Sequence, residues 1–169
     1  MEEKKQKKTM EKTVKEKIVA TPETKKTSNR LIAVIRIAGQ VKVKTEIKNT
    51  LDRLRLRRKY VCVLINSSNE SVYGMLNKVR FSVAFGDIGK ETLIKLLNAR
   101  AHSVEKKKIN AEEVADGLMN GKSLEDFGIK PFFRLHPPRK GIKSKIHYNV
   151  GGVLGDNKAD INKLIERML

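Results

Sequence analysis

Three short apolar runs, Leu31 to Ile37, Tyr60 to Ile65 and Val83-Ala84-Phe85, alternate with two stretches whose apolar residues recur at helical spacing. That order leaves few folds open. The runs are rich in β-branched residues, and the first is bounded by Gly39 and the third by Gly86, so each reads as a largely buried strand. Between the first two, Thr45 stands as a candidate N-cap ahead of Glu46, and Ile47, Leu51 and Leu54 at i, i+4 and i+7 form one apolar stripe. After the second, the polar turn Asn66-Ser67-Ser68-Asn69 leads into Val72, Met75, Leu76 and Val79, again at helical spacing. Strand, helix, strand, helix, strand in one short segment is an α+β layer arrangement.

Leu93, Ile94, Leu96 and Leu97 predict a helix that closes this core. Asn110-Ala111-Glu112-Glu113 and Ser123-Leu124-Glu125-Asp126 have capping-box character and predict two small satellite helices, the second ended by Gly128. Ile161, Leu164, Ile165 and Met168 mark a C-terminal amphipathic helix with Asn157 as candidate cap. The chain thus divides into a lysine-rich leader (1–29) too poor in large apolar residues to order by itself, a core (30–100), a mildly acidic helical insertion (101–128) and a basic Pro- and Gly-containing extension with the last helix (129–169). Cys62 is the only cysteine, which excludes an internal disulfide, and its apolar neighbours make it a small buried hydrophobe. No run reaches membrane-spanning length and the start lacks a secretory or transit signal, which points to the cytoplasm.

Charge narrows the function. Lys and Arg total 37 against 19 Asp and Glu, a formal charge of +18, more than solubility asks for. The excess sits in the core and in the extension, where no Asp or Glu occurs between Gly128 and Gly155 while Phe132-Phe133-Arg134-Leu135-His136-Pro137-Pro138-Arg139-Lys140-Gly141 and then Lys143, Lys145 and His147 follow in turn. Basic, aromatic and proline residues interleaved without carboxylates suit phosphate contact. Pro137-Pro138 presets an extended backbone from which Arg134, His136, Arg139 and Lys140 project outward. Phe132, Phe133 and Tyr148 serve either to stack on unpaired bases or to anchor the extension. A second basic group, Arg53, Arg55, Arg57, Arg58 and Lys59, reads as one face of the first helix. An irregular basic arm of this kind suits RNA better than the DNA grooves.

Catalytic readings fare worse. Gly121-Lys122-Ser123 resembles the end of a phosphate-binding loop, but Gly117 stands one residue too close and no apolar strand precedes it. Gly151-Gly152 reads as a pair of turn glycines. His102, His136 and His147 have no metal-ligand spacing with one another or with Cys62. No cofactor is expected.

Taken together, Thr45-Glu46-Ile47 with Thr50-Leu51, Tyr73-Gly74-Met75-Leu76-Asn77-Lys78-Val79, Val83-Ala84-Phe85-Gly86, Glu91-Thr92-Leu93 and above all Arg134-Leu135-His136-Pro137-Pro138-Arg139 with Gly151-Gly152 and Leu154-Gly155 resemble the L-thirty family of large-subunit ribosomal proteins, in its longer archaeal form. The resemblance runs from about Arg30 to Leu169, whereas the lysine-rich leader looks more like that of eukaryotic members. It implies a small three-stranded sheet, related to the ferredoxin-like arrangement, with helices on one face. It also implies no catalysis and a structural role on large-subunit ribosomal RNA, near 5S RNA, beside neighbouring ribosomal proteins, with no membrane and no obligate homo-oligomer. The contacts it implies are the block from Arg134 to His147 and the helix around Gly74, Met75 and Lys78. The acidic segment 105–126 is then expected to face solvent or protein. Two alternatives remain: a general nucleic-acid-binding or DNA-compacting protein and, least favoured, a nucleotide hydrolase using Lys122 and Ser123.

Overall fold

The computed structural model describes residues 30–104 and 110–169; the leader and part of the acidic insertion lie outside the described residues. The chain runs β1 (Leu31–Arg36), α1 (Thr45–Arg53), β2 (Val61–Asn66), α2 (Glu70–Val79), β3 (Val83–Asp87) and α3 (Lys90–Arg100), as the alternating periods predict. It continues through α4 (Ala111–Met119), β4 (Phe133–Arg134), β5 (Gly155–Asp156) and α5 (Ile161–Met168). The class is α+β.

β1 is the middle strand, antiparallel to β2 on one side and to β3 on the other. The sheet has five strands where three were expected, because β4 adds antiparallel to β2 and β5 adds parallel to β3, giving the order β4-β2-β1-β3-β5. Each added strand is two residues long, too short to carry a period in the sequence.

The helices cover both faces of the sheet instead of one. Ile32 and Val34 of β1, Val61, Val63 and Ile65 of β2, and Val83 and Phe85 of β3 pack with Leu51, Leu76 and Val79 of α1 and α2. The alternate positions Ala33, Ile35, Cys62 and Ala84 pack with α3, α4 and α5 through Leu93, Leu96, Val114, Leu118, Ile161 and Ile165. A strand buried on both sides has no polar face, which is why these segments read as continuous apolar runs. Burial pushes the Cys62 thiol up to about 12, so it stays protonated and inert at neutral pH.

Some local expectations change. Thr45 is the first helical residue, and Lys44 occupies the cap position without a side-chain bond. Gly86 lies inside β3 and does not end it; a Cβ there would strike the backbone of Lys158, so the glycine lets the short turn Lys158–Asp160 lie on the strand. Ser123 and Asp126 do exchange capping bonds (Ser123 N to Asp126 Oδ2, 2.8 Å; Asp126 N to Ser123 Oγ, 3.4 Å), yet only turns follow. Gly128, at φ +63°, ends the segment before a helix can form. Asn157 precedes the turn at Lys158–Asp160 and makes no capping bond.

Candidate nucleic-acid interface

The strand register gathers the basic segments at one end of the sheet. Ile35 lies opposite Cys62 and Arg36 opposite Val83, so β1 finishes where β2 and β3 begin. At the same end, β4 sets Arg134 opposite Val61 and β5 sets Gly155 opposite Ala84. The loops 37–44, 54–60 and 80–82 therefore meet the two ends of the 134–155 extension.

Arg36 organises this end from below. Arg36 is 1% exposed, and its guanidinium donates to four backbone carbonyls: Ala38 (3.0 Å), Gly39 (3.0 Å), Leu56 (2.6 Å) and Arg57 (3.0 Å). Burial lowers its pKa, and the charge of Asp52 partly offsets that. With the carbonyls of Leu56 and Arg57 turned inward, Arg57, Arg58 and Lys59 stand exposed. They form a loop and not the helix face expected from the sequence. α1 stops at Arg53, Leu54 and Leu56 are buried, and Arg55 takes a positive φ of 60° between them. No local signal marks Arg36 for this role, because Leu56 and Arg57 are supplied from 20 and 21 residues away.

The extension is bolted to the domain along its length. Phe133 is completely buried in the core shared by α3, α4 and α5, Leu135 is buried, and Leu135 N donates to Tyr60 O at 2.9 Å, which seats Arg134 beside the Arg57–Lys59 loop. Arg134 lies over the half-buried Phe132 ring at 5.8 Å. Further along, His136 N donates to Met168 O (2.9 Å) and Arg139 N to Arg167 O (2.9 Å). The Arg167 guanidinium returns bonds to the carbonyls of Arg139 (2.7 Å) and Gly141 (2.7 Å). Lys140 and Gly141 both have positive φ, so the chain turns sharply here and leaves Arg139 and Lys140 exposed. Tyr148 donates to Asp160 Oδ2 at 2.5 Å and Lys163 to Asp160 Oδ1 at 2.8 Å; Lys163 first, then Tyr148, hold the Asp160 carboxyl below its ordinary range. Phe132, Phe133 and Tyr148 are thus anchors.

Of the other expected site residues, His136, Lys143 and Lys145 are exposed, whereas His147 is half-buried and packs inward. Its ring occupies the space a Cβ on Gly155 would need, which together with φ +91° makes glycine necessary there. On α2, Gly74 and Lys78 are exposed and Met75 is half-buried against the core. A Cβ on Gly74 would meet nothing within 4 Å among the described residues, so none of them uses the missing side chain. Arg53 and Arg55 are exposed but line a separate cavity of about 400 Å³ bordered by Met75, Lys122 and Glu125. There Arg55 pairs with Glu125 at 2.8 Å.

Pairing divides the cations. Lys90, Lys95, Lys163 and Arg55 are matched by carboxylates at 2.5–2.8 Å. Among the described residues, none of Arg57, Arg58, Lys59, Arg134, Arg139 and Lys140 forms such a pair. The nucleotide-loop reading finds no support in the turn at Lys122: the Ser123 N–H is taken by Asp126 and the Lys122 ammonium lies over Phe127 at 5.9 Å.

Residues 32–83 match the family model described as ribosomal protein L30p/L7e. The chain is 42% identical over 153 residues to the large ribosomal subunit protein uL30 of Archaeoglobus fulgidus, covering 82% of this chain and 99% of that one. It is 38% identical over 155 residues to the uL30 of Nanoarchaeum equitans, with 82% and 99% covered. This chain belongs to the ribosomal protein L30p/L7e family. Ignicoccus hospitalis uL30 is 36% identical over 158 residues, with 84% of this chain and 99% of the relative covered. L30p/L7e membership carries a structural and not an enzymatic role. The family match spans β1 through α2 to the first residue of β3, so Arg36, the Arg57–Lys59 loop and Gly74 lie within it, while the 134–147 segment lies beyond.

Proposed function

We propose that this L30p/L7e protein is a structural constituent of the large ribosomal subunit in the cytoplasm, where it binds large-subunit ribosomal RNA with the basic end of its sheet. The observation that carries the RNA contact is the cluster of exposed cations without carboxylate partners among the described residues at the junction of the 54–60 loop and β4, set on a backbone held by Arg36, Phe133 and Arg167. Fixed cations on a rigid edge position phosphates, and arginines there can fork onto two phosphate oxygens. Each neutralised phosphate releases counterions, so binding weakens as salt rises. Gly74 on the exposed face of α2 extends the surface, its bare backbone allowing close approach. The described part of the acidic insertion, whose Glu125 and Asp116 engage Arg55 and Lys90, is turned to protein or solvent. The Arg134-to-Arg139 motif supports a position near 5S RNA.

The test is binding of the full chain to transcribed large-subunit ribosomal RNA across a salt series. Joint substitution Arg57→Ala/Arg58→Ala, and separately Arg134→Ala/Arg139→Ala, should weaken binding and flatten the salt slope by about one for each phosphate no longer neutralised. Unchanged slopes for both pairs would sink this assignment. Duplex DNA competing as well as ribosomal RNA at physiological salt would favour the general nucleic-acid reading instead.

A further inference from the structure

Phe81 lies between α2 and β3 and is 62% exposed. A lone exposed apolar side chain is ordinary. Phe81 differs because its ring is held and a cation lies on it. The Arg80 guanidinium sits over it, 4.8 Å from the ring centre, and His147 meets it edge-on at 6.3 Å and 61°. His147 is itself backed by Gly155 and by the bridge between His147 and Leu154, so the ring rests on the sheet end. Phe81 also stands seven residues after Gly74 and three after Lys78, and Arg80 keeps helical backbone angles, so the stripe of α2 continues towards it. No Asp or Glu occurs between Ser71 and Gly86 or between Gly128 and Gly155. Lys78, Arg80, Lys143 and Lys145 are all exposed.

We propose that Phe81, with Arg80 over its ring, is a stacking platform for one unpaired base of the bound RNA. This rests on the RNA-binding function proposed above and adds a residue to it. A flat π surface takes any base, and the guanidinium provides a second planar surface and a charge for the adjoining phosphate. A guanidinium on the ring, in a segment of chain without Asp or Glu, favours a polyanion over a protein partner, whose contact surfaces are depleted of charge at their centres. The Phe81–His147 contact also brings the end of α2 and the distal half of the extension onto one surface.

The full chain and its Phe81→Ala, Phe81→Leu and Phe81→Tyr variants would be titrated with transcribed large-subunit ribosomal RNA at several salt concentrations, with thermal melting measured alongside. Phe81→Ala should weaken binding on the order of 5- to 100-fold with an unchanged salt slope and unchanged melting. Phe81→Tyr should bind as the parent does, and Phe81→Leu should be as impaired as Phe81→Ala. Parent affinity in Phe81→Ala overturns the platform while leaving the phosphate contacts intact. Full affinity in Phe81→Leu also overturns it, because apolar area alone is then enough. A photoreactive group at position 81 that reaches a protein and not RNA in the assembled particle counts against it equally. If the parent chain itself shows no salt-dependent binding to the RNA, the functional reading fails and the platform with it.

Discussion

At Arg36 one guanidinium serves four backbone carbonyls, and the geometry explains why lysine cannot replace it. A planar fork reaches acceptors on two separate loops, whereas an ammonium offers its donors from a single point. Arg36→Lys should lower unfolding free energy by about 1–3 kcal/mol, and Arg36→Met by about 3 kcal/mol or more, since the buried Leu56 carbonyl and the partly buried carbonyls of Ala38 and Gly39 then lose their donor. Denaturant unfolding checks both. In the sequence, Arg36 reads as a polar interruption of a strand, because nothing local announces partners contributed by distant carbonyls. Gly74 is visible there as part of a motif, but the open space around its Cα among the described residues is not. Gly74→Ala should stabilise the isolated protein by about 0.5–1 kcal/mol, as expected of a helix interior, while weakening RNA binding. Improved stability with undiminished binding would remove Gly74 from the interface.

Among the elements, the extension shows how far composition can be read. Its basic and acid-free character is plain from residue order, and the outward position of Arg134, His136, Arg139 and Lys140 is observed. Its attachment is not legible, because β4 and β5 exist only through their partners β2 and β3. Arg167 clamps the Arg139–Gly141 turn from α5, so Arg167→Met should loosen that turn and weaken RNA binding beyond the loss of one charge. A salt slope lowered by no more than about one unit, with affinity otherwise intact, would show the clamp to be dispensable. The Tyr148–Asp160–Lys163 chain adds a pH dependence. With its folded pKa depressed, Asp160 contributes stability above the ordinary carboxylate range, near about pH 4, and loses it as pH falls through the folded value. Asp160→Asn should therefore flatten the acid limb of stability between about pH 4 and the folded pKa, measured by thermal melting against pH.

At the scale of the whole molecule, the core and its extension are one packed body. Phe133, Ile161, Leu164, Ile165 and Met168 share a cluster with Ala33, Ile35, Cys62 and Ala84. Removing residues 129–169 would take α5, Phe133 and Leu135 out of the cluster on one face of the sheet, so that fragment should lose cooperative unfolding, and Phe133→Ala alone should cost about 3–5 kcal/mol. A truncated chain that melts as sharply as the full one would contradict this. Hydrophobic period and β-branched content were enough to place β1 to β3, α1 to α3 and α5, because each of those elements buries a stripe or face long enough to repeat. Residue order likewise carried the excess of positive charge and the family pattern. Strand register and burial on the second face lay beyond it, since both depend on which distant segments pair. That pairing also turned all of the expected Arg53-to-Lys59 helix face beyond Arg53 into a loop pinned by Arg36, sent Arg55 to Glu125, and drew Arg57 to Lys59 beside Arg134. Local sequence carries no record of contacts between segments that meet only when the sheet closes.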